Sequence, residues 1–200
     1  MLELQIQQHF IDSADLKYQL APQLSRPIAT AVQALLTCMT SGGKVLACAS
    51  GACGALAQQF CAEFMGRFER ERPALAAWAL SADSAVQAAL IDEFASTDLY
   101  ARQVQALGQA GDVLLVLCAH GHAPRLMAAL AAAHEREMTV LALLGGLQPG
   151  PLAQQLRETD VLVHVPYERS ARVREVHQLI LHCLCDAVDS QLLGEQEFAL

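Results

Sequence analysis

The chain predicts an α/β fold, a mainly parallel sheet covered by helices on both faces, and three observations carry that expectation. Five short apolar runs, each about a strand long, punctuate the 200 residues. Segments with helical spacing or caps separate most of them, as a parallel crossover requires. The composition, 54% hydrophobic and only 17% charged, supplies a core and excludes wholesale disorder. Much of the apolar excess is alanine, which favours close helix packing.

The first forty residues read as two helical stretches. Leu2, Ile6, Phe10, Leu16 and Leu20 are roughly helix-spaced, Pro22 and Pro27 punctuate, and Pro27 suits the start of a second helix through Met39. Gly42 and Gly43 end it. KVLACAS is the first strand, and GACGALAQQFCAEFMGRFERE the helix after it. PALAAWAL is a second strand, Ser81 to Phe94 a helix, and Thr97-Asp98 a cap for a helix through Leu107. GDVLLVLCAHG is the clearest strand, followed by a helix from Pro124 to Glu137. MTVLALLGG, a short helix from Pro149 to Leu156, and DVLVHVP follow. One long helix, with Ser170 as a candidate N-cap, runs from Ser170 to about Leu193.

The net charge of -8, from 13 basic and 21 acidic residues, argues against direct nucleic-acid binding, which needs a basic footprint. The charge-free stretch between Lys44 and Glu63 holds glycines and two glutamines, so it does not read as a membrane span. Acids and glutamines stand at the N-terminus where a signal peptide carries basic residues. The expected location is cytoplasmic. The seven cysteines include no CxxC pair, and most read as buried small hydrophobes. Too few charges to cover a monomer suggests that another subunit covers part of the surface.

Parallel folds place their sites beyond the carboxyl ends of strands, near a switch in strand order. After the first strand come Ser50, Gly51, Ala52, Cys53 and Gly54, small residues that turn sharply into a helix and let backbone N–H groups face an anion. Tight packing is the alternative reading. After the third strand come Cys118, Ala119, His120, Gly121, His122 and Ala123, of the same character. On the helix after the first strand, Gln59 and Glu63 share a face; Glu63 is a proton carrier or a solvated glutamate. On the last helix Arg174, His177 and Leu181 form one stripe, with His182 close to it, and Arg172 and Glu175 are spaced for an ion pair.

Together these segments resemble the SIS (sugar isomerase) domain family. The resemblance runs nearly end to end and is densest in FMGRFERERPAL, in the run from Tyr100 to Leu115, and in SARVREVH followed by HCLCD. Within the family the chain looks similar to the phosphoheptose isomerases and closest to their relative, the DnaA initiator-associating protein DiaA. The resemblance implies a three-layer α-β-α sandwich with a five-stranded parallel sheet and N-terminal helices. It also implies one domain over residues 1–200, with 1–42 a helical extension used in oligomerisation, and a homotetramer with sites at subunit junctions.

The same resemblance matches Glu63 and His182 to the isomerases' catalytic glutamate and histidine. It matches Cys53 to a phosphate-binding serine, Ser50 to an asparagine, and Cys118 to Ala123 to a loop whose hydroxyls are gone. Gln59 replaces a metal-binding histidine and Arg174 a metal-binding glutamine, and a guanidinium is no metal ligand. The expectation is therefore no metal, no cofactor and a degenerate phosphosugar pocket. The expected function is a non-catalytic scaffold that binds the replication initiator DnaA as a homotetramer, with Leu192 and Leu193 near the partner surface. Two alternatives stand beside it: a sugar-phosphate isomerase using Glu63 and His182, and a phosphosugar sensor without turnover.

Overall fold

The computed structural model describes residues 1–194. Twelve elements follow the chain: α1 (Leu2–Thr40), β1 (Val45–Ala49), α2 (Cys53–Met65), β2 (Ala77–Ala79), α3 (Ser84–Glu93), α4 (Leu99–Leu107), β3 (Val113–Cys118), α5 (Pro124–Glu135), β4 (Thr139–Gly145), α6 (Gly150–Gln154), β5 (Val161–Val165) and α7 (Ser170–Leu193). The five strands form one parallel sheet in the order β2-β1-β3-β4-β5. Strand order therefore reverses between β1 and β3, which puts the switch point at their carboxyl ends.

Alternation along the strands builds both faces. Val45, Ala47 and Ala49 join the core under α1, α2 and α7, while Leu46 and Cys48 join the core under α4 and α5. β1 and β3 are buried along their whole length, as central strands of a two-sided sheet are. Each strand-to-helix loop thus emerges between two dry layers. The three-layer sandwich with its five parallel strands is as the sequence predicts.

Four boundaries differ. α1 is one helix of 39 residues that runs through Pro22 and Pro27. Each interior proline removes a backbone hydrogen bond, at about 3 kcal/mol. Burial of Leu20, Leu24, Ala31 and Val32 against the body offsets that cost. α2 stops at Gly66, short of the predicted reach, and β2 is only three residues long. The N-cap of α7 is Arg169 rather than Ser170; the Ser170 hydroxyl lies 3.1 Å from His120 Nδ1 instead.

All seven cysteines are free, and all but Cys183 are buried. Among the described residues no helix is long and apolar enough to cross a membrane.

Candidate active site

Two small-residue turns shape the top of the sheet. β1 leads through Ser50-Gly51-Ala52 into α2, and β3 leads through Ala119 to Ala123 into α5. Gly51 (φ +55) and Gly121 (φ +66) take left-handed conformations. At Gly121 even a methyl group has no room, because the Pro149 carbonyl lies against it. Between the turns opens a cavity of about 670 Å³, lined among others by Ser50, Gly51, Gln58, His120, His122 and Arg125. The Tyr100 hydroxyl donates to the Ala49 carbonyl at 3.1 Å and closes its floor.

The predicted loop residues divide by burial. Ser50, Gly51, His120, His122 and Ala123 line the cavity. Cys53, Cys118 and Ala119 are buried, and Ala52, Gln59 and Arg174 do not line it. Burial, and then the neighbouring Cys118, push the Cys53 thiol up to about 11, while the Arg174 guanidinium and the Ala119 backbone pull the other way. Cys53 is thus a neutral thiol, with Arg174 among the groups near it.

α2 and α7 pack side by side. Eight residues beyond Arg174, about 12 Å along α7, His182 reaches Glu63 of α2. His182 Nε2 stands 3.8 Å from Glu63 Oε1, with the two side chains 37% and 19% exposed. Gln59 donates from Nε2 to Glu63 Oε1 at 2.8 Å, and the same nitrogen lies 3.4 Å from His182 Nε2. Gln178 Nε2 stands 2.6 Å from His182 Nε2, so that ring nitrogen acts as the acceptor. The Cys185 thiol donates to Glu63 Oε2 at 3.6 Å. The Phe68 ring lies 5.4 Å from the imidazole. A carboxylate and an imidazole therefore meet in an accessible seam, each beside an amide nitrogen. This pair can move protons.

The structure brings Gln59, Glu63 and His182 together but leaves Arg174 at the other end of the α2–α7 seam, beside Cys53. The two positions that the resemblance assigns to metal binding, Gln59 and Arg174, do not converge within one chain. Arg172 and Glu175 do form the expected ion pair, joined by His9 and Ser13 of α1. Sequence reasoning missed Gln178, Cys185, Arg125 and Tyr100. Gln178 stands one helical turn before His182, and that i,i+4 spacing was the available signal.

Arg72 fixes the seam's far end. Its guanidinium donates to the carbonyls of Glu63 and Phe64, each at 2.8 Å, and to Asp189 Oδ1 of α7 at 2.5 Å.

A family model described as the SIS domain matches residues 8–145. The chain is 57% identical over 197 residues to the phosphoheptose isomerase of Methylibium petroleiphilum, covering 98% of each chain. It is 46% identical to that of Thiobacillus denitrificans, over 94% of this chain and 95% of the other. Among solved structures it superposes on phosphoheptose isomerase GmhA from Neisseria gonorrhoeae with a TM-score of 0.89 at 38% identity, covering 95% of this chain and 100% of that one. A phosphoheptose isomerase from Francisella tularensis gives 0.90 at 37% identity, with 95% and 99% covered.

These likenesses run to phosphoheptose isomerases and overturn the expected closeness to the DnaA initiator-associating protein. The non-catalytic DnaA-binding scaffold, its role in replication initiation and the expectation against enzyme activity fall with it. The physical reason lies in the site. The substitutions taken as damage, Cys53 and Cys118, are buried, while Glu63 and His182 meet. Leu192 and Leu193 lie exposed in the last turn of α7 and lose the partner that singled them out. The tail beyond residue 194 lies outside the described residues.

Proposed function

This chain belongs to the SIS-domain family, among its phosphoheptose isomerases, and we propose that it interconverts the ketose and aldose forms of a sugar phosphate through Glu63 and His182. The single observation that carries this reading is the 3.8 Å approach of the Glu63 carboxylate to the His182 imidazole in an accessible seam.

Isomerisation moves one hydrogen between neighbouring carbons. A base takes a proton from the hydroxyl-bearing carbon beside the carbonyl, and the electron pair forms an enediol double bond as the carbonyl oxygen gains a proton. The other hydroxyl then gives up its proton, and the second carbon is reprotonated. The net change is a shift of two hydrogens with no oxidant or reductant. Glu63, held by Gln59, serves the carbon-bound proton. His182, whose Nε2 is an acceptor in the resting pair, serves the oxygen-bound one. General acid–base groups of this kind contribute roughly 10²–10⁴-fold each.

The substrate's phosphoryl group fits the cavity at the ends of β1 and β3. The hydroxyls that the resemblance leads one to expect are missing there, but Arg125, His120, His122 and Ser50 line it. An arginine gives a planar, permanently charged donor set suited to phosphate. Homotetrameric assembly through residues 1–42 is part of the same proposal. Its support is the row of exposed apolar side chains on the first turns of α1, Leu2, Leu4, Ile6 and Phe10.

The test is turnover of sedoheptulose 7-phosphate by the purified protein, followed by NMR through the appearance of the aldose phosphate. Glu63→Gln keeps the shape and removes the base, so kcat falls by about 10²–10⁴-fold with little change in fold. No turnover by the unmodified protein, or full turnover by Glu63→Gln, refutes the reading.

A further inference from the structure

The resemblance implies metal-binding side chains at the positions of Gln59 and Arg174, and the residues present do not fit a metal. We infer that the Glu63–His182 couple works without a metal ion, the Gln59 amide nitrogen occupying the place between carboxylate and imidazole that a metal would fill. The inference rests on the proposed isomerase reading, because it concerns the same couple.

The donor set argues it first. A catalytic zinc takes three protein ligands, at about 2.0–2.2 Å for imidazole or carboxylate. Glu63 and His182 supply two. Gln59 Nε2 lies 2.8 Å from Glu63 Oε1 and 3.4 Å from His182 Nε2, which are themselves 3.8 Å apart. An amide N–H₂ is a donor with no lone pair to give a cation. The gap that a metal needs is therefore bridged by a neutral group already bonded to Glu63.

The neighbours do not supply a third ligand. His182 Nε2, the nitrogen facing Glu63, already accepts from Gln178 at 2.6 Å. Cys185 is fully buried, and its thiol is engaged as a donor to Glu63 Oε2 at 3.6 Å. Arg174 carries a positive charge and sits about 12 Å away along α7. Among the described residues no group of three His, Cys, Asp or Glu side chains is placed to hold a metal. A neutral bridge also suits the chemistry. It orients the carboxylate without placing a cation against it.

The test separates metal binding from catalysis. Zinc chloride is titrated calorimetrically into chelator-stripped protein, unmodified and as Gln59→His, Glu63→Ala, and the double variant carrying both. Gln59 is exposed on α2, so the substitution is compatible with folding, and circular dichroism checks each variant. The unmodified protein should show no zinc binding that depends on Glu63. Gln59→His should gain one zinc per chain, at least about 100-fold tighter, since even groups beyond the ligands alter metal affinity 10–100-fold. That gain should vanish in the double variant. Stoichiometric zinc in the unmodified protein, lost with Glu63→Ala, overturns the inference. If Gln59→His binds no zinc, the amide is not what excludes the metal, and that part is overturned. Turnover by the stripped unmodified protein should not rise when zinc is added. Absence of turnover in every preparation refutes the isomerase reading and leaves the zinc titration to decide the metal question alone.

Discussion

Arg72→Met removes the group that ties the end of α2 to α7. The Arg72 and Asp189 side chains are each 1% exposed and bonded at 2.5 Å. The second carboxylate oxygen of Asp189 has no hydrogen-bond partner among the described residues. The substitution therefore strands a buried carboxylate, and breaking one side of such a pair costs about 3–5 kcal/mol. For a domain of this size each kcal/mol shifts the melting temperature by about 2–4 °C, so a fall of roughly 6–20 °C is expected. Thermal and urea unfolding at one fixed protein concentration measure it.

The same change reaches the chemistry, because Arg72 also holds the carbonyls of Glu63 and Phe64. Without those bonds the end of α2 is free to shift relative to α7, and a displacement of about 1 Å can cost on the order of 10²-fold in rate. The control is Arg72→Met with Asp189→Leu. Removing both charges relieves the stranded carboxylate, so much of the stability returns. The two carbonyls still lack their donor, so kcat stays low. The reasoning is refuted if the single variant loses less than about 1 kcal/mol, far below the usual cost of breaking a buried pair. It is equally refuted if the double variant is as unstable as the single, or if kcat recovers together with stability.

His177 makes stability depend on pH. It is fully buried, and burial lowers its pKa to about 4, with the Leu144 backbone pulling the other way. The unfolded chain, with a pKa near 6.5, binds more protons between these values. Stability contributed by the neutral ring is therefore complete above about pH 6.5 and is lost as pH falls toward 4, by at most about 3 kcal/mol. His177→Leu should flatten that slope in urea unfolding between pH 4 and 6.5, and an unchanged slope counts against the assignment. Gly121→Ala should cost about 2 kcal/mol or more, through a left-handed residue and the Pro149 carbonyl that its methyl would meet. It should also raise KM, since the same turn lines the cavity proposed to take the phosphoryl group; a loss below about 0.5 kcal/mol sinks that reading.

Much of the architecture was legible because period and punctuation are local signals. VLLVLC between Asp112 and a small-residue turn has few readings other than a buried strand. The prolines of α1 misled for a related reason. Pro22 and Pro27 report a local cost, while the burial of Leu20, Leu24 and Val32 that outweighs it depends on β5 and α7, far off in sequence. Ser170 failed as a cap for the same reason, since His120 competes for its hydroxyl and stands fifty residues earlier. In the site, the i,i+4 pair Gln59–Glu63 was readable. Its meeting with His182 was not, because it depends on how α2 and α7 align.

The mistaken expectation of a silent scaffold has a physical lesson in the two loops. Replacing hydroxyls by Cys53 and Cys118 reads as a loss of anion donors only if those side chains face the ligand. Both thiols are buried, and neither lines the cavity. Among the groups that do line it are Ser50, His120, His122 and Arg125, each drawn from a turn or from the first residues of the helix after it. Chemistry at a strand switch point is set by which side chains the turns expose. A residue-by-residue comparison of a motif counts the buried positions equally with the open ones. Glu63 and His182 stand on helices, where spacing and packing rather than turn geometry decide what meets. On the proposed reading, the Glu63–His182 couple can therefore persist while the loop proposed to anchor the phosphoryl group changes its donors from hydroxyls to imidazoles and a guanidinium.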